Sequence, residues 1–131
     1  MLSAGRGSNL QALLDRLHRR RVAGRRVEVT LVVSHRPQAR ALARARHAGV
    51  EAVALAPRAF SSRRVYWRTL LHLLRARGIH LIAMSGWLLK LPPSFIRAFR
   101  RRILNIHPSL LPLFGGEGMY GGRVHRAVLR S

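Results

Sequence analysis

Short apolar runs rich in β-branched residues alternate with helical patterns along the whole chain. The apolar runs predict strands at 1–4, 27–33, 50–55, 79–84 and 103–107. Between them, apolar residues at helical spacing predict helices at about 8–18, 37–48, 62–77 and 93–100. Strands that alternate with single helices pair in parallel through right-handed crossovers. The pattern therefore predicts an α/β fold, an open, mostly parallel, doubly wound sheet of about five strands with helices on both faces.

A glycine loop follows the first predicted strand. It reads Gly5-Arg6-Gly7-Ser8-Asn9, and leucines at helical spacing come directly after it. Ser8 or Asn9 is the expected helix N-cap. A strand end, a glycine loop and a helix start together predict an anion site, because backbone N–H groups and the positive end of the helix dipole meet there. No lysine follows in the register of a Walker loop, so a plain strand-to-helix turn is the alternative.

The second candidate site is the segment Ile103–Pro112, which reads ILNIHPSLLP. Residues two apart in a strand point to the same face, so Asn105 and His107 are expected to project together. An amide that donates beside an imidazole that titrates near neutrality can stabilise an oxyanion and move a proton. The alternative is a buried polar pair at the end of a strand.

Ligands of parallel α/β sheets bind outside the carboxyl ends of the strands. Three features are predicted at those ends: the glycine loop, the segment Ser85–Leu91 after the fourth strand, and the pair Asn105 and His107 after the fifth. We therefore expect one ligand crevice that all three share.

Composition narrows the class of protein. The chain has 25 basic and 4 acidic residues, a net charge of +21. Nearly all the cations are arginines, with few aromatic residues among them. This bias is typical of a GC-rich coding sequence, so a nucleic-acid partner is not favoured, whereas anionic substrates are. The absence of cysteine excludes disulfides and thiolate metal sites. No apolar run reaches the roughly 18 residues of a membrane span, so a soluble cytoplasmic protein is expected.

The motifs together resemble those of the phosphoribosylglycinamide formyltransferases, the folate-dependent enzymes of purine synthesis. The similarity covers essentially the whole chain, in the segments Gly5–Gln11, Phe60–Arg63, Ser85–Leu91 and Asn105–Pro112. The last of these motifs also occurs in other formyltransferases, including the methionyl-tRNA enzyme. The GSNLQ sequence of the glycine loop favours the glycinamide ribonucleotide enzymes.

The resemblance implies a role for each matching residue. Substrate phosphate binding is implied for Gly7, Ser8 and Asn9. Folate binding, with 10-formyltetrahydrofolate as co-substrate, is implied for Arg63, Leu88, Leu89, Lys90, Leu91 and Asn105. The substrate amine would attack the formyl carbon, while Asn105 donates to the developing oxyanion and His107 supplies a proton. The resemblance implies no metal.

The chain also departs from the family pattern. The catalytic aspartate of the family has no counterpart among these residues, and Leu89 stands where the family often has arginine. We therefore expect a single formyltransferase N-terminal-type domain over residues 1–131, incomplete at its C-terminus and clipped at its first strand. Such a domain would leave an edge strand exposed, and pairing with a second copy would give a homodimer.

Two other functions remain open at this point. The same fold could transfer a formyl group to another amine, on a tRNA or a sugar nucleotide. Alternatively, the chain could be a non-catalytic basic module that binds RNA.

Overall fold

The computed structural model describes residues 1–106. They form seven strands, namely β1 (Leu2–Ser3), β2 (Arg20–Val22), β3 (Arg25–Val27), β4 (Leu31–Ser34), β5 (Glu51–Ala54), β6 (Ile82–Ser85) and β7 (Ile103–Ile106). They also form four α-helices, namely α1 (Ser8–Arg16), α2 (Arg40–His47), α3 (Arg63–Ala76) and α4 (Pro93–Ala98). A 3₁₀ turn at Pro57–Ala59 links β5 to α3.

Five of these strands form one parallel sheet in the order β5-β4-β1-β6-β7. Each face of this sheet has its own apolar cluster. Helices α3 and α4 cover one face through Tyr66, Leu70 and Phe95, all buried. Helices α1 and α2 cover the other, where Leu10 and Leu42 are buried. The predicted α/β fold, with a doubly wound parallel sheet of five strands, is confirmed.

The predicted strand 27–33 is wrong at its start. Val27 belongs to an antiparallel hairpin of β2 and β3, which is separate from the main sheet. Ala23 and Gly24 turn the hairpin with φ of 47° and 76°, a pair of left-handed residues that suits the twist of a two-residue hairpin loop. The buried strand begins only at Leu31.

Two further boundaries differ from the prediction. Gly78, which has φ of 59°, forms the turn that closes α3 after Ala76, and the Ile79 N–H donates to the Leu74 carbonyl in this turn. Strand β6 therefore begins at Ile82 rather than Ile79. Pro37 was expected to open α2, but a turn closed by the Ala39 N–H on the Arg36 carbonyl comes first, and the helix begins at Arg40.

Strand β7 lies at the edge of the described sheet. Within residues 1–106 it pairs with β6 alone, in parallel register. Its Leu104 and Ile106 side chains are 59% and 49% exposed. The remaining predicted features, His107 and the segment Pro108–Ser131, lie outside the described residues.

Candidate active site

The carboxyl ends of β1 and its two neighbours form the natural ligand crevice of this sheet. From β1 the chain passes to β4 and then β5 on one side, and later to β6 and β7 on the other. Ligands of open α/β sheets bind where the strand order reverses in this way. The glycine loop and the segment after β6 leave the sheet at this edge, and Asn105 lies near the same end of β7, as the parallel pairing requires.

The glycine loop packs closely against helix α2 at Gly7. This residue is the N-cap of α1, with φ of 78°, and no side chain caps the helix. A Cβ on Gly7 would lie 2.8 Å from the Ala41 Cα, a separation that real side chains do not reach. The expected Ser8 or Asn9 cap is therefore wrong: only glycine combines this left-handed backbone with such close packing on α2. The side chains of Ser8 and Asn9 remain available for other contacts.

Asn9 uses its side chain to join the loop to the far side of the crevice. Its Nδ2 donates to the Ser85 Oγ at 2.6 Å, across 76 residues of sequence. Ser85 is the last residue of β6 and pairs in register with Ser3 of β1. Ser8, by contrast, is exposed at the start of α1. The loop thus presents the Ser8 hydroxyl, which has no hydrogen-bond partner among residues 1–106, and a helix N-terminus, while the Asn9 side-chain amide is held by Ser85.

Arg44 of α2 holds the glycine loop and the start of α1 by two hydrogen bonds. Its Nε donates to the Arg6 carbonyl at 3.1 Å, and its Nη1 donates to the Gln11 Oε1 at 2.9 Å. Arg44 was not predicted as a site residue. Its position on an arginine-rich helix gave no local signal that it supports the loop.

A cleft of about 1040 Å³ opens beside the loop. Of the residues predicted to bind folate, Arg63, Leu88 and Leu89 line it. Lys90 is exposed and lies outside its lining, and Leu91 instead packs against the larger apolar cluster. The structure therefore brings together part of the predicted folate set.

Asn105 lies on β7 directly opposite Met84 of β6, one position before the pairing of Ser85 with Ile106. It is exposed. This register places its amide next to the strand whose end holds Asn9. Its predicted partner His107 lies outside the described residues, so the pairing of the two side chains remains a prediction.

His35 is a crevice residue that the sequence analysis did not select. It directly follows β4, lines the cleft, and contacts the Trp87 ring edge-on with centroids 4.7 Å apart. Its Nδ1 is buried and has no hydrogen-bond partner within residues 1–106. Burial, and secondarily the neighbouring Arg36, lowers the pKa of His35 below its ordinary value. Its place after a buried strand was the signal that could have identified it.

The described part of the chain contains neither a candidate metal site nor a candidate membrane-spanning helix. No group of three or more histidine, aspartate or glutamate side chains in residues 1–106 could hold a metal ion. No helix in the same residues is long and apolar enough to cross a membrane.

Comparison with known proteins assigns this chain to a family. The profile described as "Formyl transferase" matches residues 1–131. The chain belongs to the formyl transferase family.

Two relatives and one solved structure illustrate the similarity within that family. Phosphoribosylglycinamide formyltransferase of Escherichia coli is 38% identical over 131 residues, 100% of this chain and 58% of the relative. The trifunctional purine biosynthetic protein adenosine-3 of Drosophila melanogaster is 40% identical over 116 residues, 88% of this chain and 8% of the relative. Glycinamide ribonucleotide transformylase 1 of Symbiobacterium toebii superposes with a TM-score of 0.81 at 40% identity, covering 98% of this chain and 57% of the other. This formyl transferase chain thus spans less than two thirds of the length of each.

Proposed function

We propose that this formyl transferase moves a formyl group from 10-formyltetrahydrofolate to the amine of glycinamide ribonucleotide, a step of purine biosynthesis. The observation that carries the proposal is the Asn9–Ser85 hydrogen bond, which holds the glycine loop against β6. Because Asn105 is on the neighbouring strand β7, the proposed anion site and the proposed amide donor would flank the same strand, β6. The names of the relatives support glycinamide ribonucleotide as the substrate that uses this arrangement.

The substrate phosphate is proposed to bind at the start of α1. Its ligands would be the backbone of Gly7 and the hydroxyl of Ser8, with the helix dipole adding attraction for the negative charge. Asn9 would position the loop, since its amide nitrogen already donates to Ser85. In this proposal the folate lies in the cleft beside Arg63, Leu88 and Leu89.

The chemical step is proposed to run through Asn105 and His107. The amine nitrogen of the substrate attacks the formyl carbon and forms a C–N bond, and the formyl oxygen takes up negative charge. Asn105 donates a hydrogen bond to that oxygen. The bond from the formyl carbon to the folate nitrogen then breaks. His107 supplies the proton that the departing nitrogen takes up, while the attacking amine nitrogen releases a proton to water.

Four wider expectations belong to the same proposal. The protein is proposed to act in the cytoplasm, as one formyltransferase domain over residues 1–131. Its partners would be the anionic substrate and the folate. A homodimer through the exposed strand β7 remains a prediction, to be checked by the mass of the protein in solution.

Hydrogen exchange tests where these ligands bind. Glycinamide ribonucleotide should slow amide exchange at Gly5–Asn9, and a folate analogue should slow it around Leu88–Leu89 and Ile103–Ile106. The hairpin at Arg20–Val27 serves as the internal control and should be unchanged. Protection that appears only outside these segments would contradict the proposal. Protection of Gly5–Asn9 by a tRNA or a sugar nucleotide, but not by glycinamide ribonucleotide, would favour another formyl acceptor.

A further inference from the structure

The backbone of the glycine loop is polarised, because its carbonyls are paired and its N–H groups are not. The carbonyls of residues 5–7 all accept hydrogen bonds, from the Ala41 N–H, the Arg44 Nε and the Gln11 N–H. By contrast, the backbone N–H groups of residues 6–10 find no acceptor among residues 1–106. A run of donors without acceptors, beside carbonyls that are already satisfied, is an arrangement that favours an anion.

Helix α2 supplies two of the three groups that hold these carbonyls. The Ala41 N–H donates to the Gly5 carbonyl at 3.4 Å, and the Arg44 Nε donates to the Arg6 carbonyl at 3.1 Å. A trans peptide group is planar, so its C=O and the N–H of the next residue point in opposite directions. Because both carbonyls are held on α2, the N–H groups of Arg6 and Gly7 point away from that helix.

The backbone of Gly7 continues this run of outward N–H groups into the helix. Its φ and ψ of 78° and 20° are left-handed, and α1 follows directly at Ser8. A left-handed residue beside a right-handed helical residue brings successive N–H groups together in a concave anion site. The N-terminal end of the α1 dipole adds attraction for negative charge at the same place.

Arg44 makes the shorter of the two contacts from α2, and its donor is charged, so it is the stronger restraint. Its Cδ lies 3.1 Å from the position that a Cβ on Gly7 would occupy, so the arginine side chain crosses this glycine. At its far end, Nη1 donates to the Gln11 Oε1 at 2.9 Å, and the Gln11 Nε2 donates to the Asp15 Oδ1 at 2.8 Å. The guanidinium is thus fixed to both the loop and α1.

From these contacts we propose that Arg44 is a positioning residue for the substrate phosphate. It holds the peptide group between Arg6 and Gly7 in the orientation that presents the Gly7 N–H to the anion. This inference rests on the proposed function, in which the phosphate binds at Gly7–Asn9. Arg44 acts through the direction of the backbone rather than through its charge, since its Nε and Nη1 already donate to protein acceptors.

Calorimetric titration of the full chain with glycinamide ribonucleotide and with a folate analogue tests this role. The test variant is Arg44→Lys, which keeps the charge but lacks the fixed pair of donors that reaches both acceptors. Its Kd for the ribonucleotide should weaken by about tenfold, the value of one charged hydrogen bond at an exposed site. Its Kd for the folate analogue should change by less than about threefold, because the folate does not use the loop.

Two further variants complete the series. Gln11→Met removes the acceptor of Nη1 and leaves Arg44 in place, so it should weaken ribonucleotide binding less, by about threefold. The matched control is Arg46→Lys, an exposed arginine of the same helix that makes no hydrogen bond to the loop. It should leave both affinities within about twofold. Far-UV circular dichroism and the thermal midpoint establish that each variant folds.

Unchanged ribonucleotide affinity in Arg44→Lys would overturn the positioning role. Equal losses for the ribonucleotide and the folate analogue would also overturn it, since Arg44 would then stabilise the protein in general. If Arg44→Lys binds normally while the ribonucleotide still protects Gly5–Asn9 from hydrogen exchange, the proposed function stands and only this inference fails. If the unsubstituted protein shows neither binding nor protection, the proposed function fails, and the positioning role fails with it.

Discussion

The glycine loop and strand β7 carry the two halves of the proposed site, yet the fold supports them very differently. The loop follows a strand with neighbours on both sides, and Gly7 is packed against α2 at backbone distance. Hydrogen bonds from Asn9 and Arg44 hold it in addition. Strand β7 pairs with β6 alone in the described part of the chain, and Asn105 on it is exposed.

This difference separates two kinds of functional position. A residue that fixes the backbone of a binding loop packs against the rest of the protein, so its substitution should lower both the free energy of unfolding and the affinity for the ligand. A residue that projects from an edge strand contributes little to packing, so its loss should affect chemistry alone. The four predictions below test this contrast.

The largest expected effect is on catalysis, from Asn105→Ala. Because the exposed amide would act mainly on the oxyanion, the rate of formyl transfer should fall about 10²–10³-fold, or about 2.7–4 kcal/mol. The free energy of unfolding should change by less than about 0.5 kcal/mol. Initial rates and urea denaturation measure the two quantities.

The control for this substitution is Leu104→Ala, at a neighbouring exposed position of the same strand. It should leave the rate within about threefold. A drop in stability for Asn105→Ala that matches its drop in rate would show that Asn105 is structural, and the contrast would not hold.

The second effect is on stability, from Gly7→Ala. The new Cβ would meet the Ala41 Cα at 2.8 Å on a backbone with φ of 78°. Left-handed strain and the backbone clash together should cost about 2–4 kcal/mol of unfolding free energy. Affinity for glycinamide ribonucleotide should fall as well, because the loop must move.

Gly5→Ala is the matched control, since nothing lies within 4 Å of its Cβ position and its φ is not left-handed. It should change stability by less than about 1 kcal/mol. Equal losses at both glycines would mean that the loop is sensitive in general, rather than at its contact with α2.

The third effect is the coupling between Asn9 and Ser85. A double-mutant cycle of Asn9→Ala and Ser85→Ala should give a coupling of about 1 kcal/mol, the net value of one partly buried hydrogen bond. Thermal or urea unfolding of the four proteins measures it. Additive single losses would mean that this bond does not hold the loop to β6.

The smallest expected effect is the pH dependence from His35. Burial lowers its pKa in the folded protein, so between that pKa and the ordinary value of 6.5 the unfolded chain binds more protons. The stability that the neutral ring contributes is therefore present above pH 6.5 and is lost as the pH falls through the lowered pKa. His35→Asn should flatten this slope in urea unfolding at pH 7.5 to 5.

His72→Asn, which removes an exposed histidine of α3, is the control and should retain the slope. An unchanged slope for His35→Asn would show that the cleft does not desolvate this ring.

The sequence alone predicted most of the fold and part of the crevice. The β-branched runs and helical spacings identified the five strands of the parallel sheet, because burial on both faces requires apolar runs. The alternation of elements fixed parallel pairing. The strand prediction was wrong at Val27. A left-handed turn at Ala23 and Gly24 forms a hairpin there, and the apolar pattern of that hairpin resembles the pattern of a buried strand.

Tertiary structure decided which residues meet. That Gly7 rather than Ser8 or Asn9 caps α1 follows from its distance to Ala41, a residue 34 positions away in the sequence. Likewise, the Asn9–Ser85 bond and the cleft beside the glycine loop join segments that only the strand order places side by side. Sequence patterns report which face of an element is apolar, because that depends on near neighbours along the chain. They do not report contacts between elements, which depend on the packing of the whole sheet.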